Sequence, residues 1–346
     1  MKILVLNAGS SSLKFKLFEM APLSVLIEGA VEEIVPGGYP AAIEEMEGVL
    51  RAQGLDSLGE VDAIGHRVVH GGERFVESVV IDDEVVGAIE ALIPLAPLHN
   101  PANLEGIRTA RLHAPDVPQV AVFDTAFHQS MPEVAYRYAL PEAMYEEGIR
   151  RYGFHGTSHG YVARQAAKRL KMPLEKTHLI TLHLGNGASA CAVQGGQSID
   201  TSMGMTPLEG LVMGTRSGDL DPAILLYLAR EKGYTINQLD RLLNRESGLT
   251  GVCGEHDMRR IHARIAEGDT EAALARDLFV YRIRKYIGAY VAVLGRVDAL
   301  VFTGGIGEND AVIRAMILED LPFDFPSLVI ATDEEHAIAL ETKNRL

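Results

Sequence analysis

Ile3-Leu4-Val5-Leu6, then Asn7-Ala8-Gly9-Ser10-Ser11-Ser12, then Leu13 to Phe18 is the stretch that decides the fold. A short apolar run, a turn of small polar residues and a second apolar run read as two strands joined by a tight hairpin. The unit recurs as Leu179 to Leu184, then Gly185-Asn186-Gly187-Ala188-Ser189, then Ala190 to Val193 closed by Gly195-Gly196. One strand–turn–strand unit opening each half points to a duplicated α/β domain with a ligand cleft between the copies.

Helices fall between the strands. Thr157 or Ser158 is expected to cap a helix that runs to about Lys171, with Pro173 beyond its end. Asp221-Pro222 opens another, ending near Gly233. Glu271 to Leu294 reads as the longest helix, and Asp310 starts one that Pro322 ends. Thr332 and Glu335 fit a capping box on a last helix, after the strand Leu328-Val329-Ile330-Ala331. Strands alternating with helices predict mainly parallel pairing.

The 346 residues suffice for two domains. With 47% apolar and 23% charged residues, no long stretch is expected to be disordered. The formal charge of −15 argues against a nucleic-acid partner. No apolar run approaches the roughly 18 residues of a membrane span, and Met1 to Leu6 lacks the apolar centre of a signal peptide. Cys191 and Cys253 are the only cysteines, which suits a reducing cytoplasm. A cytoplasmic protein is expected.

An acidic chain that binds polyphosphate must concentrate a few cations and backbone N–H groups locally. Gly9 in the first hairpin allows close approach of an anion to N–H and hydroxyl donors, although a plain polar turn needs no more than this. Gly185 to Ala190 matches the dinucleotide fingerprint in letters, but a strand follows it where that fingerprint opens a helix. It is therefore read as a phosphate-facing hairpin. Thr303-Gly304-Gly305-Ile306-Gly307-Glu308-Asn309 lies between the strand Asp298 to Phe302 and a helix, with more glycines than a turn requires. There is no P-loop motif.

His66 to Glu73 closes a strand starting near Val61, and Gln119 to Phe123 is a strand ending at Asp124. Strand carboxyl ends face the ligand crevice of open α/β sheets, so Arg67 and Asp124 are candidates for phosphate and acceptor contacts, or a structural pair. His155 and His159 stand four apart, but the glutamate of a zinc-hydrolase motif is missing. His155 beside a helix N-terminus is better read as a donor to an anion. Arg216, in the flexible-looking loop Gly214 to Asp219, can cover a transferring phosphoryl group. Glu334 follows a strand and is a candidate magnesium ligand.

Together and in order these blocks resemble the acetate kinase family. Those carrying the resemblance include Leu6 to Ser12, His66 to Glu73, Pro97 to Pro101, Phe123 to His128, Tyr152 to His159 and His183 to Asn186. They continue through Asp200 to Gly204, Thr206 to Gly210, Gly214 to Gly218 and Gly305 to Asn309. The resemblance spans almost the whole chain. It implies an α/β, duplicated actin-like (ribonuclease H-like) two-domain fold with the active-site cleft between the domains. Residues 1–124 with 335–346 would form the first domain, and 125–334 the second, binding nucleotide and forming a homodimer.

The implied activity is reversible phosphoryl transfer between ATP and acetate with Mg²⁺, or Mn²⁺ in its place. Propionate or butyrate as acceptor, or a non-catalytic nucleotide-binding module of this fold, are the alternatives. Carried over by motif, Arg67, Asp124, His155 and Arg216 would be catalytic, with His99 and His183 supporting them. Arg67, Val69, Leu98, Phe154 and Pro207 would hold the acceptor, and Asn7 and Glu334 the metal. The nucleotide would meet Ser10, Ser12, Lys14, His183, Gly185, Asn186 and Gly187. It would also meet Asp257, Met258, Arg259, Gly305, Ile306, Gly307 and Asn309. The stretches from Phe18 to His66 and from Asn309 to Thr332 are shorter than the resemblance leads one to expect, which predicts trimmed surface elements. Glu255 and His256 stand before Asp257 where small polar residues are expected.

Overall fold

The computed structural model describes residues 1–346 apart from Ser10, Ser11, Pro36, Leu98 and Asp320. The chain forms two compact units: Met1–Gln129 with Gly156–Tyr161 and Asp333–Leu346, and Ser130–His155 with Val162–Thr332.

The first unit holds β1 (Lys2–Ala8), β2 (Ser12–Met20), β3 (Leu23–Glu32), β4 (Ala63–Val68), β5 (Val79–Val80) and β6 (Gln119–Phe123), in the sheet order β3-β2-β1-β4-β6-β5. The second holds β7 (His178–Leu184), β8 (Ala188–Gln194), β9 (Gln197–Thr201), β10 (Ala299–Thr303) and β11 (Ser327–Val329), in the order β11-β10-β7-β8-β9. In each, three strands meander antiparallel and two more are added in parallel on the far side of the first. The duplication read from the two hairpins is therefore a duplication of topology. Pairing is mixed, not mainly parallel as predicted, because the hairpin-linked meanders supply as many antiparallel contacts as the crossovers supply parallel ones.

Strands covered on both faces bury every residue, as β6 and β10 do, and these are the apolar runs without alternation. One face of the first sheet presents Leu4, Leu6, Phe15 and Leu17 to Ile43, Met46 and Leu50 of the helix Tyr39–Ala52. The other presents Ile3, Val5, Phe18 and Val122 to Ile338 and Ala339 of the helix Glu334–Arg345. This last helix lies so close to β4 that a Cβ at Gly65 would stand 2.4 Å from Thr342 Oγ1. The segment before His66 supplies β3 and the helix Tyr39–Ala52, whose Ile43, Met46 and Leu50 are buried.

Two helix starts differ from the predicted ones. The helix Gly156–Leu170 begins without a side-chain cap from Thr157 or Ser158; His155 takes the N-cap place in the left-handed region, φ 56°. Gly156 allows this, since a Cβ there would lie 2.2 Å from the Asp124 carbonyl oxygen. The last helix is capped by Asp333, which accepts from His336 N–H, and not by a box of Thr332 and Glu335. The predicted ends near Gly233 and at Leu294, and the Asp310 cap, are observed.

Candidate active site

In the first unit the end of β4, the residue after β6, β1 and the last helix bring four predicted residues together. Arg67 donates from Nη2 to Asp124 Oδ2 at 2.6 Å and from Nε to Oδ1 at 3.1 Å. Its Nη1 reaches Asn7 Oδ1 at 3.3 Å, and Glu334 Oε2 lies 3.7 Å from Nε. Lys14 stands opposite Asn7 in the β1–β2 register. Asp124 is 1% exposed, so its charge needs the guanidinium it meets. Burial alone would depress Arg67, but Asp124 and Glu334 hold its pKa above the ordinary value. Burial pushes the Glu334 carboxyl upward; Arg67 opposes the shift, and Asp124 and Glu335 add to it.

Backbone around this cluster is fixed by buried amides. Asn103 accepts from Val69 N–H and donates to the Ala8 carbonyl at 2.6 Å, while Asn100 both accepts from and donates to His70. Gly9 N–H closes the first hairpin on the Ser12 carbonyl at 2.8 Å. His99 occupies the N-cap position of the helix Asn100–His113. Ser10 and Leu98 lie outside the described residues.

Asn7 Oδ1 and the Glu334 carboxylate are hard oxygen donors on one guanidinium. With phosphate oxygens and water they suit Mg²⁺, which rarely takes an all-protein cage. Among the described residues no group of three His, Cys, Asp or Glu side chains is placed to hold a metal ion.

In the second unit His155 stacks on His183, ring centroids 4.2 Å apart, and its Nδ1 lies 2.9 Å from Ser189 Oγ. The hairpin between β7 and β8 approaches both His155 and Arg216: a Cβ at Gly187 would stand 2.9 Å from Arg216 Nη2 and 3.6 Å from His155 Nε2. Arg216 Nη1 donates to the Pro207 carbonyl at 2.6 Å. No carboxylate pairs with it among the described residues, and burial lowers its pKa. Phe154 is buried.

The Arg216 loop is not the flexible one its glycines suggested. Gly214 N–H bonds to the Asn186 carbonyl, Thr215 Oγ1 to Asn244, Ser217 N–H to Leu243 and Ser247 N–H to Thr215. At Gly218, φ 65°, a Cβ would stand 2.3 Å from the Leu211 carbonyl oxygen and 2.5 Å from that of Gly210.

A cleft of about 730 Å³ in the same unit is lined by Gly185, Asn186, Asp257, Met258, Arg259, Gly305, Ile306 and Asn309. Its size is that of a cofactor site. Gly187 lies instead beside Arg216 and His155, on which His183 stacks, and Gly307 packs against Phe302 of β10 and Leu184 of β7. Asp257 caps the helix Met258–Ala266 and forks onto Arg259. The wall also contains His256, singled out in the sequence for its place before Asp257, and His262, Asp310, Ala311 and Val312, which the sequence reading did not place there. His262 stands one turn after Met258 on the same helix, a spacing that could have signalled it; its Nε2 lies 2.7 Å from Asp310 Oδ2.

Two repeated sheets, a glycine-lined cleft and carboxylate-fixed cations define an actin-like phosphotransferase. The chain belongs to the acetokinase family, whose profile matches residues 37–345. It is 50% identical to the acetate kinase of Syntrophobacter fumaroxidans, covering 99% of this chain and 96% of that one. That alignment runs over 397 positions against 346 residues here, so the relative carries segments this chain lacks. Among solved structures, a propionate kinase from Francisella tularensis is 44% identical with TM-score 0.95, each chain fully covered. The acetate kinase of Porphyromonas gingivalis is 44% identical with TM-score 0.92 over 99% of each chain. A ROK hexokinase from Thermus thermophilus, 14% identical with TM-score 0.52, shares the fold, covering 99% of this chain and 98% of that one.

Proposed function

We propose that the protein transfers the γ-phosphoryl group of ATP to acetate, reversibly and with Mg²⁺, giving acetyl phosphate and ADP. Acetate is ionised at neutral pH, so its oxygen attacks without a general base. What the chain must supply is alignment and compensation of charge on the equatorial oxygens. Arg216 is the observation that carries this reading: a guanidinium with no carboxylate partner among the described residues, held beside the Gly187 backbone, is left to compensate the charge of an anionic ligand. Arg67, aimed by Asp124, binds the acceptor carboxylate, and His155 donates to a phosphoryl oxygen. Asn7 and Glu334 would hold Mg²⁺, which when bound would draw charge from the phosphate oxygens. The family motifs assign the acceptor methyl to Val69, Phe154 and Pro207, and the glycine-lined cleft takes the nucleoside.

Hydroxylamine trapping of acyl phosphate, with ATP, Mg²⁺ and acids of two to four carbons, tests the proposal. Acetate should give the highest kcat/KM, with overlap to propionate, because one methylene separates acids by only about 1–3 kcal/mol. ATP binding without acyl hydroxamate would leave only a nucleotide-binding module.

The protein acts as a homodimer in this reading. The helices Ala223–Lys232 and Ile236–Arg245 have no buried residues, and they leave Ile224, Leu226, Tyr227 and Ile236 exposed. Apolar side chains left exposed on two helices consecutive in the chain fit a second copy. Light scattering should give twice the 37.5 kDa chain mass, and a monomer would refute the assignment.

A further inference from the structure

The loop that carries Arg216 is closed at its base by one residue. Asp219 N–H donates to the Gly210 carbonyl at 3.0 Å, and Asp219 Oδ1 accepts from Gly210 N–H at 2.8 Å. Gly210 and Asp219 are thereby held face to face, with the segment bearing Arg216 looped between them. The second carboxylate oxygen faces away from the loop: Oδ2 accepts from Tyr286 OH at 2.9 Å and lies 3.2 Å from Arg282 Nη1. Tyr286 and Arg282 both belong to the helix Thr270–Leu294, which packs on β8. One residue before Gly210, Glu209 is tied to Arg151 at 2.6 Å and to Tyr138. Burial, the nearby Asp219 charge and the bond to it raise the Tyr286 pKa, so the phenol remains a donor.

We propose that Asp219 is the positioning residue of Arg216, clamping the two ends of its loop and anchoring them to the long helix through Tyr286 and Arg282. The inference rests on the catalytic role proposed for Arg216. Among the described residues the Arg216 guanidinium has only the Pro207 carbonyl as a hydrogen-bond partner, so it takes its place from the loop backbone. Bonds to Asn186, Leu243 and Asn244 hold the far side of the loop; opening its base lets the segment between shift, and the guanidinium with it. Misplacement of this kind weakens stabilisation of the transition state more than binding of the ground state. Asp219 acts through Arg216 and touches no reacting atom in this scheme.

A double-mutant cycle on acyl hydroxamate formation tests it, with the fold of each variant checked by thermal unfolding. Asp219→Ala should lower kcat about 10²-fold, with the KM values for acetate and ATP changed less than threefold. In the Arg216→Ala background the same change should add almost nothing, because the group it positions is gone. Asp219→Asn, which keeps one acceptor oxygen for Gly210 N–H, should recover part of the loss. An equal factor in both backgrounds, or unchanged kcat in folded Asp219→Ala, overturns the proposal. If Asp219→Ala does not fold, Tyr286→Phe takes its place, with a smaller loss in kcat that must vanish in the Arg216→Ala background and overturns the proposal if it persists. Near-normal turnover of Arg216→Ala alone would instead refute the role of Arg216, so the two failures are distinguishable.

Discussion

The guanidinium of Arg67 meets the carboxylate of Asp124 as a two-pronged pair, 2.6 Å from Nη2 to Oδ2 and 3.1 Å from Nε to Oδ1. Both oxygens of Asp124 meet Arg67, the structural pair that the sequence leaves open beside a role in phosphate or acceptor contact. Arg67→Ala leaves a buried carboxylate without its partner. We expect unfolding stability to fall by about 3 kcal/mol in denaturant titration. Arg67→Ala with Asp124→Asn should recover part of that stability without recovering activity. Full stability of Arg67→Ala would mean that the pair contributes nothing to the fold.

Gly187→Ala addresses the other guanidinium. The added methyl would stand 2.9 Å from Arg216 Nη2, closer than such contacts allow, while φ at this glycine is ordinary. The backbone tolerates the change and the arginine does not. kcat should drop about tenfold or more with an unchanged melting temperature, read by hydroxamate assay and calorimetry on the same sample.

Glu334→Gln removes a charge from the proposed metal ligand while keeping its shape. Half-saturating Mg²⁺ should rise about tenfold or more in a metal titration of turnover. An unaltered Mg²⁺ requirement would take Glu334 out of the metal site.

His66 sets a pH dependence. It is 2% exposed, bonded to Gln119 Oε1 at 2.8 Å, and burial brings its pKa down to about 4. The folded state holds it neutral, whereas the unfolded chain protonates it near the ordinary value of about 6.5. Its contribution is complete above that value and is lost as pH falls from about 6.5 to about 4, by up to about 3 kcal/mol. Denaturation curves across that range should show the slope, and His66→Gln should flatten it. A slope of equal size in the variant assigns the effect elsewhere.

Much of this was legible because the deciding signals are local. Strand–turn–strand units need only a few residues of context, and the Asp310 and Gly233 helix ends obey capping chemistry. The helix Tyr39–Ala52 is legible too, since Ile43, Met46 and Leu50 share one face. The cap at Asp333 was not, because a neighbouring Thr offers the same hydrogen-bond chemistry one residue earlier. Nor could the sequence show that the Arg216 loop is tethered: Leu243, Asn244 and Ser247 lie far along the chain, and glycines alone read as flexibility.

The most direct measurement is the rate of acyl hydroxamate formation by Arg216→Ala with ATP, Mg²⁺ and acetate, beside a melting curve of the same preparation. The account predicts a loss of about 10³–10⁵ in turnover with the melting temperature retained. Turnover near that of the unaltered protein would contradict it.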